Sequence, residues 1–511
     1  MKKVALIVLD GFGINNITPH ENAITLAKAP TIHHLFQQKH AVINAAWRAV
    51  GLPEGQMGTS EVGHLTLGIG RISDMSLVEV DDLFAEGKFA QLPAFTQGIQ
   101  HVRKNQTSLH LIGLLSTGGV HTTLYHLQEL IKLIPSDIQT FLHLFSDGRD
   151  MPPQSALETM KELEQFLADY PHMKIASLGG RYFGMDRDNN RERVQKAYDE
   201  IVFQQTQTSD KPSEYLAKQY ELGKTDEFLP PVSFVGGEPI DDGDAVFYYN
   251  FRTDRGRQLT QALMVSQFPE KATWYPQRTK DFMTKPLSNI YLATMTQYYP
   301  EYDGIIFVEK EDITHTLPEV LSQHDIRQLH LAETEKYIYV TKNFNAEKDI
   351  VYDGQKNILI PSHKVATFDL DPEMSAQEIM DTFKDQVQFF DFFIINFANG
   401  DMVGHTGVMS ATLKMVEKLD DIIQQIIKLS KDFDIDILLT SDHGNCEEMG
   451  TPEAPKTAHT ANPVPFRYIK QGEVQENIPE KGWLSDFAPT VLAMFNIPKP
   501  TEMTGENLIT P

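Results

Sequence analysis

The chain has 511 residues, 41% of them hydrophobic and 10% aromatic: globular values in a length that calls for two domains rather than one core. Its formal net charge of −25 argues against nucleic acid or an anionic membrane surface as the main partner, since both need a basic field. The single cysteine, Cys446, excludes an internal disulfide, and no apolar run approaches the roughly 20 residues of a membrane helix, so a cytoplasmic location is expected.

Helix-like and strand-like patterns alternate along the chain, which indicates an α/β class. Residues 4–9 form a short apolar run, too short for a signal-peptide core, that ends in Asp10. Residues 51–59 are a glycine-rich turn leading to Ser60. Its backbone suits an approaching anion, and Ser60 suits a nucleophile activated by a base or a metal. A flexible loop with a helix cap at Ser60 fits the same residues. A first crossing into a second domain falls near residues 73–76.

Four strand-like runs follow, each with charged residues beyond its carboxyl end. Residues 109–115 precede His121, and residues 141–145 precede Asp147-Gly148-Arg149-Asp150. Residues 174–178 precede Arg181 and Arg187, and residues 245–250 precede Arg252 and Arg255. Arginines from separate elements aimed at one crevice suit an anion with several oxygens, a phosphate or a carboxylate. The return crossing is expected at the Pro/Gly break in residues 299–304. The expected domains are therefore 1–75 with 305–511, and an insert over 76–304.

Lys336 opens a strand-like alternation over residues 337–340 and reads as a solvated edge charge. The apolar run 392–397 leads to Asp401, with His405 four residues on and hence on one helical face. A third run, 436–441, ends in Asp442-His443, and His459 sits in a proline-locked loop. Alone, His459 reads as a surface histidine and the Asp401/His405 pair as a solvated turn. His20, His33, His34 and His324 read as structural or surface residues, and Trp47, Trp274 and Trp483 as packing. Short bounded apolar runs read as buried parallel strands, beyond whose carboxyl ends ligands bind. If the runs ending near Asp10, Asp401 and Asp442 share a sheet, the carboxylates converge and want a cation. Mixed Asp/His donors suit Zn, Mn or Fe rather than Ca.

Together these blocks resemble the cofactor-independent phosphoglycerate mutases of the alkaline phosphatase superfamily. The blocks are the Gly-x-Met-Gly-x-Ser-Glu-Val-Gly-His segment around Ser60, Asp147-Gly148-Arg149-Asp150, Met185-Asp186-Arg187-Asp188, Asn250-Phe251-Arg252-x-Asp254-Arg255, Asp401-Met402-Val403-Gly404-His405 and Asp442-His443-Gly444-Asn445. The resemblance covers essentially the whole chain. It implies an alkaline-phosphatase-like phosphatase domain with an inserted α/β phosphotransferase domain. It implies two divalent metal ions, most simply Mn2+, with Co2+, Zn2+ and Mg2+ also compatible. One ion falls to Asp401, His405 and His459, the other to Asp10, Ser60, Asp442 and His443. Ser60 becomes the phosphate-accepting nucleophile and Asp150 the proton shuttle. His121, Arg149, Asp150, Arg181, Arg187, Arg252, Arg255 and Lys336 become substrate-binding residues. The implied reaction interconverts 3-phosphoglycerate and 2-phosphoglycerate in glycolysis and gluconeogenesis, in a monomer, without 2,3-bisphosphoglycerate. The chain departs from the family pattern at Thr117, Thr122, Thr123, Gly179, Phe183, Gly184 and Gly400, none of them an implied ligand. A metal-dependent phosphohydrolase or phosphopentomutase with the same metal core is the alternative, and a non-catalytic metal- or anion-binding protein the rival from another class. The basic clamp of the insert favours the mutase.

Overall fold

A computed structural model describes residues 2–37, 40–188, 190–264, 285, 287–299, 302 and 304–509. Trp274, Pro300, Glu301 and Asp303 lie outside the described residues. The chain divides into two compact units: Met1–Met75 with Asp312–Pro511, and Ser76–Glu311. The return crossing thus comes after the break expected at 299–304. The reason is a short strand, Ile305–Ile306, which pairs in parallel with Tyr291–Thr294 and ties that segment to the inserted unit.

The discontinuous unit is built on a nine-stranded sheet. Its order runs Gln355–Ile360, Gln328–Glu333, Phe392–Phe397, Lys3–Leu9, Ile435–Thr440, Val464–Lys470, Ala41–Asn44, Lys481–Trp483, with Glu473–Val474 beside Val464–Lys470. The first five strands are parallel, and Val464–Lys470 joins antiparallel. Lys3–Leu9 therefore lies between the strands that lead to Asp401 and to Asp442. Alternation along Lys3–Leu9 sends Ala5, Ile7 and Leu9 into one core and Val4, Leu6 and Val8 into the other. Both faces are covered, so the strand is apolar throughout, and each buried aliphatic side chain contributes roughly 1.5–3 kcal/mol. The 24-residue helix Met409–Asp432 covers one face with a stripe that includes Met415, Leu419, Ile422 and Ile426.

The inserted unit carries an eight-stranded sheet in the order Ile305–Ile306, Tyr291–Thr294, Ala245–Tyr248, Leu109–Leu115, Thr140–Ser146, Met173–Gly180, Val232–Phe234, Gln207–Thr208. Its strands are parallel except where Met173–Gly180 meets Val232–Phe234. The α/β class is borne out. The strand expected over residues 337–340 is not: after Gln328–Glu333 the chain turns and becomes helical, with a π-helical segment Tyr339–Asn343. Lys336 N donates to the Glu333 carbonyl to close the turn. The strand-like alternation there is the one-sided burial of a single turn, with Val340 buried and Ile338 exposed. Among the described residues, no helix is long and apolar enough to cross a membrane.

Candidate active site

Asp10, Asp401 and Asp442 follow adjacent parallel strands, and all three are buried. The approach of their backbones depends on glycine. Gly11 has φ +73°, and a Cβ there would stand 2.6 Å from Asp401 N; a Cβ on Gly63 would stand 2.7 Å from the Asp442 carbonyl oxygen.

Ser60 opens the helix Ser60–Ile69, and the cap expected of it is made by the preceding residue: Thr59 Oγ1 accepts from Val62 N. Ser60 is thereby free of capping and buried, with Oγ 3.0 Å from His443 Nε2 and 3.3 Å from Asp10 Oδ1. Lys336 is not a solvated edge charge. It is buried, and its Nζ lies 2.8 Å from Asp10 Oδ1, 2.6 Å from Asp401 Oδ2 and 2.6 Å from Ser60 Oγ. Burial by itself would push this ammonium down, but Asp10, Asp401 and Asp442 outweigh it and hold it well above the usual lysine value.

The histidines share one orientation. His405 Nδ1 faces the Thr457 carbonyl at 2.6 Å, His459 Nδ1 the Gly58 carbonyl at 2.8 Å, and His443 Nδ1 the Gly444 carbonyl at 3.2 Å. Each Nδ1 is thereby set as a donor, which leaves the inward-turned Nε2 as the nitrogen that offers a lone pair once its proton is lost. His405 Nε2 and His459 Nε2 are 3.0 Å apart, and each is 3.1 Å from Asp401 Oδ1. His443 Nε2 is 3.4 Å from Asp10 Oδ1, 3.6 Å from Asp442 Oδ2 and 4.0 Å from Asp401 Oδ1. Burial would lower the His443 imidazole, yet Asp442, Asp10 and Asp401 lift it to about 10. Asp442 Oδ1 accepts from His443 N at 3.1 Å, whereas Asp442 Oδ2 is buried without a hydrogen bond. Converging Nε2 and carboxylate atoms with an orphaned oxygen among them fit divalent cations, and two ligand groupings stand out: Asp401/His443/His459 and Asp10/His64/Asp442.

In the inserted unit, His121, Asp150 and Arg181 are brought together. Arg181 Nη2 lies 2.8 Å from His121 Nε2, and Nη1 lies 2.5 Å from Asp150 and 2.7 Å from Asp147. Burial and the Arg181 charge depress His121 to about 4, so its imidazole is neutral near pH 7. Arg187 and Arg252 are joined through Asp254, at 3.2 and 3.1 Å. Arg255 donates to the Met185 carbonyl, and burial together with Arg181, Arg187 and Arg149 pushes its guanidinium down. Arg149 points instead to Glu227, at 3.1 Å. Lys336 belongs to the carboxylate cluster.

Sequence reasoning assigned no task to several residues the structure makes central. Asp147 anchors Arg181, and Asp254 links two arginines. Glu447 is buried and ties the ligand-bearing loops, accepting from Gly13 N, Asn445 N, Thr460 Oγ1 and Asn462 Nδ2. Asn396 and His64 touch the carboxylates directly. The available signal was a polar residue set in an apolar run, as Asn396 is in Phe392–Phe397.

An α/β sheet with a carboxylate–histidine cluster at its strand ends belongs to a class of metal-dependent enzymes, and residues 2–499 match the family described as the metalloenzyme superfamily. The chain is 40% identical to a 2,3-bisphosphoglycerate-independent phosphoglycerate mutase of Clostridium botulinum (strain ATCC 19397 / Type A), over 99% of each protein. It is also 40% identical to the 2,3-bisphosphoglycerate-independent phosphoglycerate mutase 1 of Methanosarcina barkeri, over 99% of this chain and 98% of that protein. The phosphoglycerate mutase of Leishmania mexicana, solved at low cobalt concentration, superposes with a TM-score of 0.60 at 26% identity, covering 100% of this chain and 98% of that one. The chain belongs to the family of 2,3-bisphosphoglycerate-independent phosphoglycerate mutases, as its sequence motifs indicated.

Proposed function

We propose that the protein interconverts 3-phosphoglycerate and 2-phosphoglycerate without 2,3-bisphosphoglycerate, through a phosphoserine at Ser60. The carrying observation is the setting of Ser60 Oγ, buried at the start of a helix beside Lys336 Nζ, His443 Nε2 and Asp10 Oδ1. Asp401, His405 and His459 would hold one divalent ion, and Asp10, Ser60, Asp442 and His443 the other, in our reading Mn2+. When bound, these ions lower the hydroxyl pKa of Ser60 and offset the charge of the phosphoryl group. Lys336 donates to Ser60 Oγ and steadies the developing alkoxide. With its proton given up to solvent, Ser60 Oγ forms a bond to phosphorus as the bond from phosphorus to the C3 oxygen breaks, and Asp150, entering the step in its acid form, passes its proton to that oxygen. His121, Arg181, Arg187, Arg252 and Arg255 retain the glycerate carboxylate, with Arg149 an outer member of the set. Asp150 then takes the proton of the C2 hydroxyl, whose oxygen attacks phosphorus and frees Ser60. The negative net charge supports a small-molecule substrate rather than nucleic acid, and the family likeness supports a cytoplasmic monomer.

The test is made on metal-stripped enzyme with metals added back singly and no bisphosphoglycerate. Labelled 3-phosphoglycerate is mixed with unlabelled glycerate. Glycerate label kept within the two phosphoglycerates, with none passing to free glycerate, supports the reading. Incorporation of free glycerate, or release of inorganic phosphate as the main product, overturns it in favour of an open intermediate or a hydrolase. Ser60→Ala is expected to lose activity by a factor on the order of 10⁴ or more while still binding metal. Turnover within tenfold of the parent enzyme rules Ser60 out.

A further inference from the structure

His64 is grouped with Asp10 and Asp442, so proximity alone would make it an eighth metal donor. Its two nitrogens are committed elsewhere. His64 Nδ1 stands 2.9 Å from the carbonyl oxygen of Ser60, one helical turn back, and a carbonyl can only accept, so this nitrogen carries the hydrogen. Asp442 Oδ2 is 3.2 Å from the same nitrogen but accepts no hydrogen bond. His64 Nε2 stands 3.0 Å from Asn396 Nδ2. Asn396 Nδ2 also lies 2.7 Å from Asp10 Oδ2, an acceptor, which settles the orientation of the amide. His64 Nε2 therefore accepts from Asn396 and has no lone pair left. His405, His443 and His459 make the same Nδ1 bond to a backbone carbonyl, but their Nε2 atoms face the carboxylate cluster.

Backbone register explains the pairing. Asn396 is opposite Val8 in the parallel sheet, so Asp10, two residues past Val8, projects from the same face as Asn396. Both N–H groups of the Asn396 amide are used, while its Oδ1 is buried without a partner. The residue contributes its two donors. His64 and Asn396 are both fully buried.

We propose that His64 is a positioning residue and not a metal ligand: with Asn396 it forms a directed relay, Ser60 C=O←H–Nδ1 His64 Nε2←H–Nδ2 Asn396 –H→Asp10 Oδ2, which aligns the Asp10 carboxylate with the first turn of the Ser60 helix. The inference rests on the two-metal reading above for its consequence, but the relay itself is a property of the metal-free chain.

Two measurements separate these layers. In the metal-free full-length protein with 15N-labelled histidine, long-range 1H–15N spectra are expected to show His64 as the neutral Nδ1–H tautomer; an Nε2–H or doubly protonated ring overturns the relay. Titration with Mn2+ alone then follows occupancy. The unaltered protein is expected to bind two ions, and fewer than two counts against the metal reading and not against the tautomer. His64→Leu and Asn396→Leu are each expected to weaken one ion by a factor of about 10–100 with stoichiometry kept at two. The double variant is expected to be no weaker than the worse single one, and His64→Gln, whose Oε1 accepts near the Nε2 position, to recover most of the loss. Loss of one ion in His64→Leu with Asn396→Leu unchanged would make His64 a ligand. Unchanged affinity in both, or losses that simply add, would reduce the pair to packing. Should the leucine variants fail to fold, His64→Gln and the tautomer spectrum still decide.

Discussion

Arg181 is 1% exposed, and its guanidinium holds Asp147, Asp150 and His121 at once. Asp147 is itself buried and also accepts from Ser116 Oγ at 2.6 Å and from the backbone N–H groups of Arg149 and Asp150. Removing one partner of a buried ion pair leaves the other without its counter-charge, which costs about 3–5 kcal/mol. Arg181→Met is therefore expected to lower the urea midpoint sharply and to abolish turnover. Arg181→Lys keeps the charge but cannot fork toward two partners, so stability returns in part and activity does not. Arg149 is the internal contrast: its half-exposed guanidinium pairs with Glu227 at the surface, and Arg149→Met is expected to stay within about 0.5 kcal/mol of the parent. Equal losses at the two arginines in equilibrium denaturation would contradict this account. Arg149 was legible as part of a basic strand-end motif, but the motif does not encode which way a long side chain turns.

The Ser60–Ile69 helix shows how an element serves the site against its own propensity. Glycine inside a helix costs about 1 kcal/mol relative to alanine, so Gly63→Ala would stabilise a solvated helix. Here the added methyl would meet the backbone of Asp442, and either the helix or the strand end must shift. The expected outcome is a lower melting temperature and weaker Mn2+ binding; a more stable variant with unchanged metal affinity would show that the close approach is dispensable. The strands hold a second element-scale feature in their buried histidines. His330, within Gln328–Glu333, lies at the Val340 carbonyl, and burial lowers it to about 4. In the inserted sheet, Asp244, His110, His143 and Ser177 form a buried hydrogen-bonded chain across strands, and burial holds His143 well below its usual value. A histidine whose folded value is depressed binds fewer protons folded than unfolded, so stability falls as pH drops below the unfolded value near 6.5. For His330 the loss between there and pH 4 is roughly 3 kcal/mol. Glu333 on the same strand is pushed up to about 7 by burial and works in the opposite direction over this range, so urea unfolding of the metal-stripped parent is compared with that of His330→Asn at pH 7 and pH 4.5; the parent is expected to lose more stability than the variant, and equal changes would refute the account.

At the scale of the whole molecule, the candidate metal donors all belong to the unit Met1–Met75 with Asp312–Pro511, while the arginine set belongs to Ser76–Glu311. Chelation should accordingly be felt unequally. An ion bound only by the folded state stabilises it by RT ln(1 + [L]/Kd), about 2.7 kcal/mol at a hundredfold excess over Kd. Hydrogen exchange followed by mass spectrometry, with and without EDTA, is expected to show faster exchange on metal removal around residues 10–13, 60–64, 399–405 and 442–460. The strands Leu109–Leu115 and Thr140–Ser146 should be unaffected. Faster exchange spread evenly over both units, or none anywhere, would count against metal sites confined to the discontinuous unit.

The sequence by itself determined the α/β class, the family and the strand ends from which the chemistry projects. Apolar runs report burial on both faces, and a carboxylate closing such a run, as at Asp10 and Asp442, has few uses other than a site. Only the tertiary structure decided the partners. Lys336 looked like a solvated edge charge because its local pattern resembles a strand, yet the fold carries it into the carboxylate cluster beside Asp10 and Asp401. Thr59 took the cap expected of Ser60, and Asn396 and His64 acquired a shared task although 332 positions separate them. Periodicity along a chain encodes which face a side chain takes. A hydrogen bond depends on a donor and an acceptor meeting within about 3 Å, and for residues this far apart that distance exists only once the strands have paired.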